Sequence, residues 1–275
     1  MAFWLLPLAL AALYVWLVAP GRGGQRMRCA PFDVPYAHRG LFDLADAPEN
    51  SLPAFARAAD AGYGIELDVQ LTKDGQLIVF HDADTRRVCG RPGMLSRMTV
   101  GEAQSLFLGS SHEKMPLLSD VTALVQGRVP LMIELKSERP FQHALRLPRA
   151  VNAQLAAYPG PVCVESFHPL MMGWFRLYAP DVPRGQLARY HNPSDPARFL
   201  MGQLVFNFLS RPQFISYGLG KRPFSMKIAR LFHPAFVCWT VRSAREWQAV
   251  EPIYDQMIFE AFAPHHQKEG NDIHE

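Results

Sequence analysis

The centre of the chain reads GIELDVQLTKDGQLIVFHD at residues 64–82. Apolar and polar residues alternate over residues 65–72, which is the period of a β-strand with two different faces, and residues 77–80 are a short apolar run. The Asp74-Gly75 pair between the halves is typical of a two-residue type I′ turn. The resulting register places Asp68 opposite His81, and the two-residue alternation puts Glu66 on the same face. The sequence therefore predicts a hairpin that gathers two acids and a histidine on one side.

Short apolar runs alternate with longer stretches of helical period on both sides of this segment. Eight such runs within about 240 residues predict an α/β fold, a closed TIM-type (β/α)8 barrel with its active site at the C-terminal ends of the strands. The strands are expected at residues 34–38, 64–71, 130–136, 161–166, 184–188, 213–217, 236–241 and 256–260, and helices at 51–62, 117–127 and 242–253.

A second predicted strand repeats the acidic alternation. In Ile133-Glu134-Leu135-Lys136 the charged residues again occupy alternate positions. Burying three carboxylates together costs several kcal/mol unless they are protonated, paired or bound to a cation, and all-oxygen ligands favour Mg²⁺ or Ca²⁺. The alternative is a set of solvated strand ends that Lys136 and Arg39 neutralise. The coexistence of the two acidic strands favours a metal site.

The first predicted strand ends in His38-Arg39-Gly40. Arginine offers a bidentate fork to a phosphate, histidine exchanges a proton near neutral pH, and glycine permits close approach of the backbone. Taken alone, this tripeptide is a weak signal, because a single histidine at a strand end is more often structural. Together with the acidic strands it indicates a phosphate site.

The ordered set of motifs resembles the glycerophosphodiester phosphodiesterase family. The resemblance covers about residues 34 to 260 and is most specific over its first 50 residues. The residues that carry it are Ala37-His38-Arg39-Gly40, Pro48-Glu49-Asn50-Ser51, residues 65–75, Val79-Phe80-His81-Asp82, Met115-Pro116-Leu117-Leu118, residues 133–136, Glu165-Ser166-Phe167 and Trp239-Thr240-Val241.

This resemblance implies a TIM-type barrel with a small insertion after the second strand, at about residues 73–115. It also implies one divalent cation, Mg²⁺ or Ca²⁺, and an acid/base pair of histidines. The implied roles are metal ligands at Glu66, Asp68 and Glu134, acid/base catalysis at His38 and His81, and phosphate binding at Arg39 and Lys136.

Two further residues are candidates for substrate contact. Trp239 either stacks on the alcohol group of a substrate or belongs to the core. Asn50 either contributes to the substrate or metal surroundings or caps the helix that begins at Ser51. The chain departs from the family pattern at Arg242 and at Phe259-Glu260, which stand where relatives commonly have asparagine and Thr-Asp.

The N-terminal segment predicts a membrane anchor, and the alternatives are a signal peptide or a buried N-terminal helix. Residues 2–19 are uncharged and nearly all apolar, and about 27 Å of helix would just cross the hydrocarbon layer. No basic residue precedes this run, whereas Arg22, Arg26 and Arg28 follow it, which favours a cytoplasmic catalytic domain on a single-pass cell-membrane protein. The expected organisation is an anchor at 1–20, a flexible linker at 21–32, the barrel at 33–262 and a polar tail at 263–275.

Composition and charge restrict the remaining functions. The chain has 275 residues, 49% of them apolar, and 28 Lys+Arg against 25 Asp+Glu. This is globular composition, and the small net charge of +3 is atypical of a general nucleic-acid binder. Residues 196–245 nevertheless contain only basic charges, so this stretch is either a solvated face or a surface for anionic lipid or substrate.

Three functions are open at this point. The leading one is metal-dependent hydrolysis of a glycerophosphodiester to sn-glycerol 3-phosphate and an alcohol. The second is lysophospholipase D-type cleavage of lysophospholipids at the membrane, which an apolar pocket mouth would favour. The third is a non-catalytic, membrane-tethered protein that binds phosphodiesters. The complete set of candidate acids and histidines argues against the third function.

Overall fold

The computed structural model describes residues 5–43, 45–136 and 145–264. Eight parallel strands form a closed barrel, because β1 pairs with both β2 and β9, and β3 adds an antiparallel edge to β2. The TIM-type barrel predicted from the sequence is confirmed. The strands are β1 Tyr36–His38, β2 Gly64–Leu71, β3 Leu77–Val79, β4 Leu131–Leu135, β5 Val162–Ser166, β6 Arg184–Ala188, β7 Phe214–Gly218, β8 Ala235–Val241 and β9 Gln256–Phe259.

Helices cover the outside of the barrel and include the three that the sequence predicts. Ser51, rather than Asn50, caps α2, because its hydroxyl accepts a bond from the backbone N–H of Ala54. The helices are α1 Leu5–Val18, α2 Leu52–Asp60, α3 Arg86–Cys89, α4 Val100–Gln104, α5 Leu118–Val125, α6 Arg146–Leu155, α7 Pro169–Tyr178, α8 Pro196–Gly202, α9 Asn207–Ser210, α10 Phe224–Arg230 and α11 Ala244–Val250.

The hairpin of β2 and β3 differs by one residue from the predicted register. Val69 pairs with Val79, and the backbone N–H of Phe80 donates to the Asp68 carbonyl, so Phe80 rather than His81 lies opposite Asp68. A type I′ turn needs positive φ at both central residues, but only Gly75 of the pair has it, at 79°. The turn is therefore a three-residue loop that ends in a left-handed glycine.

The barrel interior has an apolar lower layer and a polar upper layer. Near the N-terminal ends of the strands the interior is filled by fully buried apolar side chains, whereas carboxylates and amides take the interior positions nearer the C-terminal ends. The polar groups therefore lie on a layer of buried apolar side chains. The lower layer includes Tyr36, Met132, Phe214 and Ile258, and the upper layer includes Glu66, Asp68, Glu134, Glu165 and Gln186.

The segment expected to be a flexible linker is packed against the barrel, so that prediction is wrong. Residues Gly24–Arg28 form a 3-10 helix whose Met27 is fully buried. Arg28 Nε lies 2.7 Å from Asp255 Oδ1, next to the start of β9. The segment closes the bottom of the barrel because its apolar side chains extend the lower layer of the interior.

Helix α1 is attached to the barrel at its C-terminal end. The Asn207 amide donates to the Val18 carbonyl at 2.8 Å, and Arg211 donates to the Trp16 carbonyl at 2.9 Å. Across the described ranges, no helix combines the length and apolar character that crossing a bilayer requires. The predicted span begins in residues 1–4, and the tail mostly comprises residues 265–275; both sets lie outside the described residues.

The insertion between β2 and β4 has a small core of its own. It contains β3, α3 and α4, and its buried apolar side chains pack together beside the barrel. This independent packing explains why the return strand of the hairpin is absent from the barrel: it belongs to the insertion. The core comprises Ile78, Phe80, Leu95, Ala103, Leu106, Leu108 and Met115.

Candidate active site

Three carboxylates meet at the C-terminal ends of two neighbouring strands. Glu66 and Asp68 project from β2, and Glu134 projects from β4, where parallel pairing sets it beside Asp68. Their exposed fractions are 2%, 0% and 8%, and one oxygen of each lies within 4.8 Å of the others. The structure therefore confirms that the three acids lie close together, as the sequence predicts.

The acidic cluster carries negative charge that its protein surroundings only partly offset. Burial raises the pKa of Glu66 well above its ordinary value, and repulsion from Asp68 and Glu134 raises it further. Burial also raises the pKa of Glu134. A set of buried oxygen ligands with excess negative charge fits a hard divalent cation such as Mg²⁺ or Ca²⁺.

Lys136 and Arg39, the predicted phosphate ligands, lie on the same cluster. Lys136 Nζ is 2.9 Å from Glu134 Oε1 and 3.1 Å from Asp68 Oδ1, and Arg39 Nε is 3.3 Å from Asp68 Oδ2. Burial alone would raise the pKa of Asp68, but Lys136 and the other nearby cationic groups lower it. Both cations therefore offset part of the charge of the acids, but the acids are buried and are not the solvated strand ends of the alternative interpretation.

The backbone at Arg39 and Gly40 turns sharply at the end of β1. Arg39 has a φ of 57° and Gly40 of 84°, and a Cβ at Gly40 would lie 2.8 Å from the Ala54 backbone. The turn directs the Arg39 N–H to Glu66 Oε2 at 3.1 Å, while its guanidinium reaches Glu49 at 2.8 Å. Gly40 thus allows the turn in which Arg39 contacts both Glu66 and Glu49.

Asn50 lies behind the acidic cluster. It is 1% exposed, and its Nδ2 donates to Asp68 Oδ2 at 2.8 Å. The structure therefore places Asn50 where it orients a candidate metal ligand, in the surroundings of the metal rather than at the cap of α2.

His38 lies beside the acidic cluster and is bound to a carboxylate from the last strand. Its Nε2 is 4.0 Å from Glu66 Oε2, and its Nδ1 is 2.5 Å from Glu260 Oε2. Arg242 binds the other oxygen of Glu260. Although burial raises the pKa of Glu260, the hydrogen bond from His38 and the charge of Arg242 lower it to about 2. The carboxylate therefore fixes the orientation of the imidazole.

His81 has the same kind of support from the insertion. Its Nδ1 is 2.5 Å from Asp82 Oδ1, and Arg87 Nε is 2.6 Å from Asp82 Oδ2. His81 also lies close enough to Asp68 to lower the pKa of that carboxyl. The one-residue change in hairpin register thus leaves His81 at the site, although it is not paired across the strands with Asp68.

Both histidines line one cavity with the acidic cluster. This cavity of about 140 Å³ also contains Trp239, whose ring meets Phe167 edge to face at a centroid distance of 5.6 Å. Trp239 is therefore at the site rather than wholly in the core. The lining includes His38, Arg39, Glu66, His81, Glu134, Lys136, Glu165, Trp239 and Arg242.

Sequence reasoning missed the role of Glu260, which it treated as a departure at the substrate end. The signal was present in the topology. In a closed barrel the first and last strands are neighbours, and Ala37 pairs with Phe259, so the following residues His38 and Glu260 meet. The support of His81 by Asp82 and Arg87 had no comparable signal, because it depends on the local fold of the insertion.

The fold and the site together define a class: a TIM-type barrel with a buried carboxylate cluster and two carboxylate-bound histidines at the C-terminal ends of its strands. The chain belongs to the glycerophosphoryl diester phosphodiesterase family, whose pattern matches residues 38–257. The resemblance seen in the sequence motifs is thereby confirmed.

Similar proteins agree with this assignment. A glycerophosphodiester phosphodiesterase of Bacillus altitudinis is 32% identical over 156 residues, which cover 54% of this chain and 63% of the relative, or less than two thirds of its length. The structure of a Parabacteroides distasonis glycerophosphodiester phosphodiesterase has 22% identity and a TM-score of 0.67, covering 82% of this chain and 92% of that one. An Oleispira antarctica phosphodiesterase, solved in complex with the product sn-glycerol-3-phosphate, has 19% identity and a TM-score of 0.68, covering 82% and 93%. These structural likenesses show the shared fold.

Proposed function

We propose that this protein hydrolyses glycerophosphodiesters to sn-glycerol 3-phosphate and an alcohol. The observation that carries the proposal is one cavity lined by two carboxylate-bound imidazoles and by Glu66 and Glu134, two members of a buried cluster of three acids. Family membership supports the same chemistry. The crystallised Oleispira antarctica relative, which holds sn-glycerol-3-phosphate, supports the product.

His38 and His81 are proposed as the acid/base pair. One imidazole accepts a proton as the attacking oxygen forms its bond to phosphorus, and the other donates a proton to the alcohol oxygen as its bond to phosphorus breaks. The attacking group is water or, if a cyclic phosphate forms first, a hydroxyl of the glycerol. Because a carboxylate binds Nδ1 of each ring, Nε2 is the nitrogen available for proton transfer in both.

Glu66, Asp68 and Glu134 are proposed to hold the divalent cation. A bound Mg²⁺ or Ca²⁺ would polarise phosphate oxygens and offset the negative charge that develops on the phosphoryl group. Asn50 orients Asp68 through its amide, and the backbone N–H of Arg39 orients Glu66. Arg39 and Lys136 line the same cavity and add positive charge for the substrate phosphate.

An assay of the purified full-length protein tests this function. Glycerophosphocholine, glycerophosphoethanolamine and glycerophosphoglycerol are each supplied with Mg²⁺, Ca²⁺ or a chelator, and the phosphate-bearing product is identified. We expect glycerol phosphate with a divalent cation and a loss of activity in chelator. Full activity in excess chelator would remove the metal from the proposal, and no product from any of these diesters would leave the lysophospholipid and non-catalytic alternatives.

Glu66→Gln tests the metal ligands directly. The substitution removes one charged ligand, so we expect the Mg²⁺ or Ca²⁺ concentration at half-maximal activity to rise by at least about tenfold. Glu113→Gln is the matched control, because this partly exposed residue lies in the insertion. An equal shift in both variants would contradict the assignment.

A second candidate substrate class is the lysophospholipids. A cavity of about 700 Å³ shares His81 and Trp239 with the site and continues along Leu187 and Met201. This partly apolar extension is large enough to take the acyl chain of a lysophospholipid, which stays on the phosphate-bearing product when the alcohol leaves. Comparing kcat/KM for lysophosphatidylcholine and glycerophosphocholine separates the candidates: lysophosphatidic acid as the main product favours the second, and preference for the water-soluble diester favours the first.

We further propose that α1 anchors the protein at the cell membrane with the barrel in the cytoplasm. The support is the uncharged sequence of residues 2–19 and the exposure of apolar side chains such as Leu6 and Leu10, at 66% and 57%. Fractionation of cells, followed by protease treatment of intact spheroplasts, tests both parts. Release by salt alone, or digestion from the outside, would contradict them.

A further inference from the structure

Helix α10 and the residue after it expose two large apolar side chains, Phe224 and Leu231, to solvent. Met226 and Ala229 are buried against the fold, whereas Phe224 is 66% exposed and Leu231, directly after the helix, is 75% exposed. Positions 224, 227 and 231 are three and four residues apart, so they share one helical face. A helix that only covered the barrel would have an apolar inner face, as α10 does, but a polar outer face, which α10 lacks at Phe224.

Basic side chains surround this apolar face. They line a surface cavity of about 1000 Å³ together with Phe224 and Leu231. Two of them lie over aromatic rings: Lys221 Nζ is 4.6 Å from the centroid of Tyr190, and Arg230 is 4.9 Å from that of Phe236. The basic residues are Lys221, Arg222, Lys227 and Arg230.

The positive charge of this face has no ion-pair partner among the described residues. In the part of the chain that the structure describes, none of the four cations lies within 4.0 Å of a carboxylate oxygen. The sequence gives the reason, because residues 196–245 contain no aspartate or glutamate. The surface therefore suits a partner that carries many negative charges.

Helix α10 lies beside the apolar helix α1. The two helices pack beside each other, and α1 is fixed at its end by Arg211, whose guanidinium also lies 5.1 Å from the Trp16 ring. Farther along α1 the exposed side chains are leucines, with exposed fractions of 51% to 67%. They are Leu5, Leu6, Leu8, Leu10 and Leu13.

We infer that α10 and the loop before it form a docking surface for an anionic lipid bilayer. Phe224 and Leu231 enter the interfacial region, and the surrounding cations bind headgroup phosphates, which is the pattern of interfacial helices. Charge complementarity favours an anionic partner, and the neighbouring leucines of α1 favour hydrocarbon over an acidic protein. This inference does not rest on the proposed hydrolysis, since it concerns where the protein sits and not what it cleaves.

Binding of the full-length protein to vesicles tests the basic part of the surface. Vesicles of phosphatidylcholine alone are compared with vesicles that also contain phosphatidylglycerol. For Arg222→Glu with Lys227→Glu we expect binding to anionic vesicles to weaken by about tenfold or more, and high salt to reduce the difference. The matched control is Arg97→Glu with Lys114→Glu, two exposed cations of the insertion. Equal binding by the test variant and the control overturns the inference.

A second measurement locates the contact even if α1 alone keeps the protein on the vesicle. Leu231→Cys is combined with Cys29→Ser, since Cys29 is exposed, and modification by a water-soluble maleimide is timed. We expect modification at position 231 to slow several-fold on anionic vesicles. Phe107→Cys, at an apolar position of the insertion that is 47% exposed, should react at the same rate with and without vesicles. Unchanged reactivity at position 231 overturns the inference, whether or not an acidic protein binds there.

Discussion

Each of the two histidines of the site is supported by a carboxylate and an arginine, in two different regions of the molecule. At the junction of β1 and β9, His38 binds Glu260, which binds Arg242. In the insertion, His81 binds its neighbour Asp82, which binds Arg87. In each region an imidazole Nδ1 meets a carboxylate at 2.5 Å, and an arginine holds that carboxylate from behind.

The two regions differ in what fixes the carboxylate. Glu260 follows a barrel strand and contacts a histidine 222 residues away in sequence, whereas Asp82 and His81 are adjacent in a loop. The His38 side chain is 13% exposed and that of His81 is 32% exposed. The pairing of β1 with β9 therefore places Glu260 against His38. In the insertion, surface side chains mainly hold Asp82 against His81.

The largest expected effect is loss of either imidazole. His38→Ala or His81→Ala removes a proton donor or acceptor, so we expect kcat to fall by about 10²- to 10⁴-fold. The folded state should persist, because both rings line a cavity rather than the core. Steady-state kinetics and circular dichroism provide the measurements.

His112→Ala is the control for these variants. His112 is exposed in the insertion, where its ring meets Phe107 edge to face, so its removal should leave kcat unchanged. Near-normal turnover of either test variant would show that the corresponding histidine does not transfer a proton.

The next largest effect is expected from the two carboxylates that bind the histidines, Glu260 and Asp82. Glu260→Gln keeps the shape but removes the charge that orients His38, and a carboxylate behind a functional histidine is typically worth about 10- to 100-fold. We expect kcat to fall within this range with little change in KM. Asp82→Asn should have a smaller effect, because His81 is more exposed and water can replace part of the interaction.

Glu260→Asp distinguishes a positioning role from general damage to the fold. It retains the charge, so partial rescue of kcat relative to Glu260→Gln is expected. Equal losses in the two Glu260 variants, or a larger loss for Asp82→Asn, would contradict the proposed difference between the regions.

The barrel and the acidic cluster were predictable because the local periodicity of the sequence indicates both. Alternation along residues 65–68 and 133–136 fixes which acids share a face, and helical spacing between strands fixes the barrel. The hairpin register was missed by one residue, since the same Asp-Gly pair serves two- and three-residue loops and only the φ of Asp74 separates them. Pairing of Glu260 with His38 depends on the register between the first and last strands of the closed barrel, which no local pattern encodes.

The contribution of Glu260 to the free energy of unfolding should depend on pH. Its pKa is about 2 in the folded protein, against 4.5 without these contacts. Because the folded-state pKa is the lower one, the ionised group stabilises the fold above about pH 4.5, and this contribution is lost as pH falls toward 2. We expect wild type to exceed Glu260→Gln by about 1 to 2 kcal/mol in free energy of unfolding at pH 7, and by less than half of this at about pH 3.

Urea denaturation at the two pH values provides the measurement for Glu260→Gln. Asp82→Asn is the comparison, because the pKa of Asp82 is also lowered against the effect of burial, mainly by its hydrogen bond with Arg87, at a more exposed position. A difference for Glu260→Gln that is constant from pH 7 to about pH 3 would show that the carboxylate charge does not stabilise the fold.

The smallest expected effect concerns the outer arginines. The side chains of Arg87 and Arg242 are 50% and 58% exposed, and ion pairs at such positions contribute about 0.2 to 1 kcal/mol. Arg87 also binds both oxygens of Glu49, at 2.9 and 2.6 Å, and so joins the insertion to the loop that holds Arg39. We therefore expect Arg87→Lys to lower kcat/KM by about two- to fivefold and Arg242→Lys by less, with both losses shrinking at high salt. A larger loss for Arg242→Lys would mean that the barrel does not fix Glu260 without its arginine, and that the two histidines depend on their surface partners alike.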